Sequence, residues 1–289
     1  MICNLCPRQC GAVRTQSRGE GRCGMPEAPV AARAALHHWE EPPISGKNGS
    51  GAVFFSGCSL GCIFCQNEEI SHDNFGKVIS EEALWEIMEN LIAQGAHNIN
   101  LVNPTHFAHI VQKLPPLPVP VVWNSGGYDR VETLRTLEGK ISVYLPDLKY
   151  MEQGPAAKYS SAPDYPEAAR AAIREMVRQT GPCVLDENGL LVRGTVIRHL
   201  LLPGQLEGAR QVMDWISREF APGTVLFSLM SQYTPWGQAD RFPELNRTLR
   251  RGEIRAAQAY MENLGLEGFV QDPDSARRGF TPDFDLTGI

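Results

Sequence analysis

Seven of the eight cysteines fall into two tight clusters. Cys58, Cys62 and Cys65 stand in the spacing CxxxCxxC. Three thiolates this close can hold three irons of a cubane cluster and leave the fourth iron without a protein ligand. Ligation by four cysteines suits an electron carrier, whereas an open coordination position marks chemistry at the metal. The competing occupant is a structural zinc ion, which wants a fourth Cys or His; His72 is the nearest candidate. Gly57 and Gly61 let the loop wrap closely without Cβ clashes. The second cluster, Cys3, Cys6, Cys10 and Cys23, puts four soft ligands on a short Gly- and Arg-rich segment. Such a piece cannot fold by core burial alone, so metal binding must supply its folding energy. Structural zinc and a second iron–sulfur cluster both suit four thiolates, with zinc slightly preferred. Cys183 stands alone and reads as a half-buried thiol.

The surrounding chain is ordinary globular material. It has 289 residues, 43% hydrophobic and 21% charged, with a formal net charge of −6. That composition excludes disorder over most of its length. The acidic balance argues against a general nucleic-acid binder, which needs a basic face. Arg247, Arg250, Arg251, Arg255, Arg277 and Arg278 form the main basic concentration and read as a solvated helix face. The longest apolar runs are far too short to span a bilayer. No export signal precedes the first motif, so the expected setting is the reducing cytoplasm. There, clustered cysteines mean metal or redox chemistry rather than disulfides.

The elements that must position the thiols alternate between short apolar strands and amphipathic helices. Strands are expected at 52–56, 98–102, 119–123, 141–145, 192–202 and 224–230, with a short last one at 269–271. Helices are expected at 107–114, 130–137, 166–179, 206–220 and 252–264. One more begins at Ser80, an N-cap followed by Glu81 and Glu82, and stops at Gly95. The turn-rich run at 41–51 marks the expected boundary. It divides an N-terminal four-cysteine metal-binding segment and linker (1–48) from a barrel domain (49–289). About six parallel strands is fewer than the eight of a complete barrel of about 250 residues. The expected fold class is therefore α/β, a partial (β/α)6 TIM-like barrel with a small metal-binding appendage. Polar clusters follow five of the strands: Ser56-Gly57-Cys58, Asn103-Pro104-Thr105, Asn124-Ser125-Gly126-Gly127, Asp147-Leu148-Lys149 and Met230-Ser231-Gln232. Strand C-termini converge on one face in such folds, so these clusters should share a mouth.

With its CxxxCxxC motif on a loop leaving the first barrel strand, the sequence resembles the radical S-adenosylmethionine (SAM) enzymes. The resemblance covers nearly the whole chain and is closest to relatives of pyruvate formate-lyase activating enzyme, in the PflX-like branch. It is carried by Cys3–Cys10, Gly57–Asn67, Asn103-Pro-Thr-His106, Trp123–Tyr128, Pro146–Tyr150, Arg198–Gly204 and Met230–Tyr233. It implies a [4Fe-4S] cluster on Cys58, Cys62 and Cys65 whose open iron binds SAM. One-electron cleavage of SAM then gives methionine and a 5′-deoxyadenosyl radical that abstracts hydrogen. By the same resemblance, Phe64 lies beside the adenine, and Asn67, Asn103, Thr105, Asn124, Ser125 and Arg198 line the SAM site. Asp147 and Lys149 stand near SAM and substrate, as the catalytic candidates. Asn103-Pro104-Thr105 replaces the Gly-Gly-Glu common in relatives, and Asn124 replaces an Asp, which puts a bound monovalent cation in doubt. The implied partners are a glycyl radical enzyme and a flavodoxin- or ferredoxin-type reductant, with no membrane and no nucleic acid. The alternatives are a small molecule, peptide or RNA as substrate, or an iron–sulfur electron-transfer protein that does not consume SAM.

Overall fold

A computed structural model describes residues 1–271 and 282–289. Arg277 and Arg278 of the basic concentration lie outside the described residues. The amino-terminal knot holds a two-stranded antiparallel ribbon, β1 (Ile2–Cys3) and β2 (Ala12–Val13). β3 (Val30–His37) then runs antiparallel to β4 (Ser50–Phe55), and β5 (Lys77–Val78) pairs the far side of β3. From β4 onward the sheet is parallel through β6 (Ile99–Val102), β7 (Val121–Ser125) and β8 (Val143–Pro146). β9 (Val184–Leu185) is a short antiparallel arm on β10 (Leu191–Leu200). β11 (Leu226–Met230) and β12 (Gly268–Val270) complete the parallel run. The order across the sheet is β12-β11-β10-β8-β7-β6-β4-β3-β5, and among the described residues its two ends do not pair. This is the open, partial barrel the strand count implies.

The parallel strands are apolar because both faces are covered. All six residues of β4 are buried. The helices behind the sheet bury one stripe each; Ala169, Ala172, Ile173 and Met176 of helix Tyr165–Thr180 recur at helical spacing. Ser80 caps helix Glu81–Ala93 by accepting from the Ala83 amide at 3.1 Å.

Two features depart from the sequence reading. The Ala-rich segment at 30–37 has helix-forming composition but lies in the sheet, so the sheet runs across the boundary expected at 48/49. Its small side chains suit a strand covered closely by the carboxyl-terminal segment: the Ala34 amide donates to the Thr287 carbonyl at 2.8 Å and the Leu286 amide to the Ala32 carbonyl at 3.0 Å. That pairing shields the β3 edge. The turn-rich linker is not a free connector either. Its one-turn helix Pro42–Ser45 buries Ile44 completely among Val122, Val143, Leu145 and Val196, plugging the lower end of the barrel.

Candidate functional site

The five polar clusters do meet. A cavity of about 300 Å³ opens at the strand C-termini, lined by Cys58, Cys62 and Cys65 on one side. Asn103, Asn124, Ser125, Asp147, Lys149 and Arg198 line the other. Phe64, Asn67 and Gln232 complete the wall. Phe64 is buried and meets Tyr233 edge-on at 6.0 Å between ring centres.

The cysteine loop is held in a shape that suits thiolates. The Leu60 amide donates to Cys58 Sγ at 3.4 Å and the Ser71 hydroxyl to Cys65 Sγ at 3.2 Å. Cys62 Sγ stands 3.0 Å from Ser160 Oγ. Burial and the neighbouring thiols push Cys58 up to about 12 and Cys65 up to about 11. Such groups ionise readily only against a metal, which displaces their protons. Among the described residues no three His, Cys, Asp or Glu side chains are already closed on one ion. The donor set still fits an iron–sulfur cluster: three soft ligands face one cavity, each with a polar hydrogen-bonding neighbour to its sulfur, and Lys149 adds positive charge nearby. Gly57 starts the loop at φ +80°, and a Cβ there would overlap Met25 and stand 2.8 Å from the Cys23 carbonyl oxygen.

Opposite the thiols lies a half-buried row of alternating charge. Lys149 Nζ bonds Asp147 Oδ2 at 2.5 Å, and Arg198 Nε bonds Asp147 Oδ1 at 3.0 Å. The Arg198 guanidinium continues to Asn124 Oδ1 at 2.7 Å and to Glu40 Oε2 at 3.2 Å. Glu40 Oε1 accepts from Asn100 and Asn124, each at 3.0 Å. Burial alone would raise the Asp147 carboxyl; Lys149 and Arg198 outweigh it and hold it below the usual range. Burial likewise works against the Lys149 and Arg198 cations, yet Asp147 keeps both firmly charged. Glu40 is pushed up by burial against the pull of Arg198. β8 and β10 set this register, since the Leu148 amide bonds the Arg198 carbonyl at 2.7 Å. The Tyr165 hydroxyl locks the turn, lying 2.9 Å from the Lys149 amide and 2.7 Å from the Asp147 carbonyl.

One expected SAM-site residue is absent from this cavity. Thr105 is buried and donates to Asp129 Oδ1 at 2.7 Å, alongside Ser125 on Oδ2 at 2.5 Å and Trp123 on Oδ1 at 3.3 Å. A lone buried carboxylate needs these donors, so Thr105 turns away from the mouth. His106 and His199 are scaffold: their rings bond the Ser56 and Leu148 carbonyls at 2.6 and 2.7 Å. Asn103 adopts φ +60° and its side chain donates to the Gly57 carbonyl, tying the β6 end to the cysteine loop. The sequence reading missed Glu40, which the barrel plug delivers from far away in the chain, and Tyr165, which looked like an ordinary helix start.

Comparison with known proteins bears on this geometry. Residues 44–133 match the family model of a 4Fe-4S single cluster domain, a stretch that includes all three loop cysteines. SuiB of Streptococcus suis, solved bound to S-adenosylmethionine, superposes with a TM-score of 0.52 at 12% identity, covering 74% of this chain and 48% of SuiB. At that identity the likeness shows a shared fold. A second SuiB structure, bound to precursor peptide SuiA, gives 0.51 at 12% identity over 74% of this chain and 46% of that one. The chain thus spans about half the length of SuiB. The uncharacterized protein MJ0674 of Methanocaldococcus jannaschii is 29% identical over 279 residues, covering 92% of this chain and 75% of that protein. The cysteine loop after β4 and the charged row on β8 and β10 share one mouth. No helix among the described residues is long and apolar enough to cross a membrane.

Proposed function

We propose that the protein is a radical SAM enzyme that cleaves S-adenosylmethionine reductively and uses the resulting 5′-deoxyadenosyl radical to abstract hydrogen from a substrate. The observation that carries this reading is the opening of three CxxxCxxC thiols into the same cavity as a half-buried, ion-paired Lys149–Asp147–Arg198–Glu40 row. A [4Fe-4S] cluster on Cys58, Cys62 and Cys65 would supply one electron, drawn from a flavodoxin- or ferredoxin-type donor, to the sulfonium of SAM. Arg198 is fixed on three sides and presents a guanidinium suited to a carboxylate. Asn124 and Ser125 lie beside it, and Asn67 and Asn103 sit near the cysteine loop. Phe64 gives the flat apolar wall on which an adenine can rest. Asp147 holds Lys149 and Arg198 in place, and Lys149 is the charged group nearest the cysteine side.

The preferred substrate is a backbone glycine of a glycyl radical enzyme, as the resemblance to activating enzymes implies. The open barrel supports it, because a protein loop must reach the mouth. A peptide is the second reading; SuiB, which shares the fold, was solved with a precursor peptide. Anaerobic incubation with SAM, dithionite and a candidate glycyl radical enzyme tests the proposal. We expect 5′-deoxyadenosine by chromatography and a glycyl radical by EPR. 5′-Deoxyadenosine with no protein radical favours the peptide or small-molecule arm. No 5′-deoxyadenosine from cluster-loaded protein, with any acceptor, removes the reading.

A further inference from the structure

Arg14 is buried at 2% exposure, yet among the described residues no carboxylate pairs with it. Its guanidinium donates to the Pro26 carbonyl and, at 2.7 Å, to the His106 carbonyl, and it lies over the Phe107 ring. Neutral acceptors leave the full charge uncompensated, which is costly in a dry interior. Its other neighbours are the knot thiols: NH1 reaches Cys3 Sγ at 3.6 Å, and its field acts on Cys23. Cys6 lies within electrostatic reach of Cys3, Cys10 and Cys23, and Cys23 within that of Cys3 and Cys10. The Arg8 and Met25 amides, each two residues beyond a cysteine, lie near Cys6 and Cys23. Four thiols are neutral, whereas four thiolates around a divalent ion or a 2+ cubane carry a net charge of about −2. That charge is the counter-ion Arg14 lacks.

The knot is also bolted to the cysteine loop. Arg8 Nε donates to the Ser59 carbonyl at 2.9 Å. A Cβ on Gly61 would overlap the Arg22 guanidinium, and one on Gly57 would overlap Met25. Arg14 reaches the loop through His106, whose ring bonds the Ser56 carbonyl. Every residue in these ties belongs to the segment at 3–26 or packs on it.

We propose that Cys3, Cys6, Cys10 and Cys23 form an anionic tetrathiolate metal centre with Arg14 as its buried counter-ion, and that this centre holds the cysteine loop in the shape its cluster needs. Zinc and an iron–sulfur cluster share the chemistry, and metal analysis separates them. The second clause rests on the proposed function; the first does not.

The first clause is tested in a Cys58→Ala/Cys62→Ala/Cys65→Ala background, which keeps the knot and removes the loop ligands. Cobalt(II) titrated into the apo form should bind at one equivalent with the visible bands of a tetrahedral thiolate site. Adding Cys6→Ser should abolish those bands, and adding Arg14→Met should weaken binding about tenfold or more. Cobalt bands that survive Cys6→Ser, or affinity indifferent to Arg14→Met, overturn the assignment. Zinc, iron and sulfide contents of the anaerobically purified chain then identify the native occupant. The second clause is tested in the chain with its loop cysteines intact, reconstituted with iron and sulfide. Cys6→Ser should cut loop-cluster content at least threefold. Arg8→Ala, which spares the thiols, should keep the knot metal yet lower loop-cluster content in the same direction, so a misfolded Cys6→Ser does not stall the test. Full loop clusters in both variants overturn the coupling. A wild-type chain that never takes up a loop cluster sinks the proposed function and leaves the knot assignment standing.

Discussion

Asp147 is the residue on which the site's charges turn. It alone holds Lys149 and Arg198 together, one on each oxygen. Asp147→Asn should weaken SAM binding at least tenfold by equilibrium dialysis, about 1.4 kcal/mol, while cluster iron stays near wild type. Because two buried cations lose their shared partner, the variant should also lose about 3 kcal/mol in chemical unfolding. Unchanged SAM affinity would show that the charged row does not serve the nucleotide. Asp147 and Lys149 were readable as a polar cluster because they follow a strand with apolar flanks, whereas Arg198, inside β10, was named only through the family resemblance. Glu40 was not readable, since it lies outside the parallel strands. Its place follows from Ile44, whose burial in the barrel floor drags the preceding carboxylate inside. Thr105 misled for a related reason: position after β6 put it near the mouth, but the demand of Asp129 for donors decided its direction. Thr105→Val should therefore cost about 1–2 kcal/mol of stability and leave SAM affinity within about twofold.

At the scale of elements, the cysteine loop depends on what packs behind it. Gly57 has the backbone conformation and the empty Cβ position that the approach of Met25 and Cys23 requires. Gly57→Ala should lower reconstituted cluster content severalfold, read by iron and sulfide analysis; normal content would mean that the knot can move aside at no cost. The strand-and-helix alternation was readable because parallel strands buried on both faces are continuous apolar runs. The β3 strand was hidden because its Ala residues favour helix in isolation, and only pairing to β4 and the carboxyl-terminal segment turns them into sheet. Helix Gln153–Ser160, with Gly154 and Pro155 in its first turn, gave too weak an apolar stripe to be seen.

For the whole molecule, burial of neutral histidines sets an acid limit. His106 and His199 are buried, and burial pushes them down to about 3 and about 4. Below the ordinary value near 6.5 the unfolded chain takes up protons that the folded chain refuses. Stability therefore falls as pH drops from about 6.5 toward 4, by about 2 kcal/mol per histidine at pH 5. Thermal melts between pH 7 and 5 should show it, and His199→Gln should flatten the slope; a melting temperature flat across that range would contradict it. The knot packs against the loop on which the chemistry would depend.

The most direct test is EPR of the anaerobically reconstituted, dithionite-reduced chain, recorded with and without SAM. The account predicts a [4Fe-4S]⁺ signal that depends on Cys58, Cys62 and Cys65 and changes shape when SAM is added. A cluster signal that SAM leaves untouched, or one that survives replacement of all three cysteines, would contradict it.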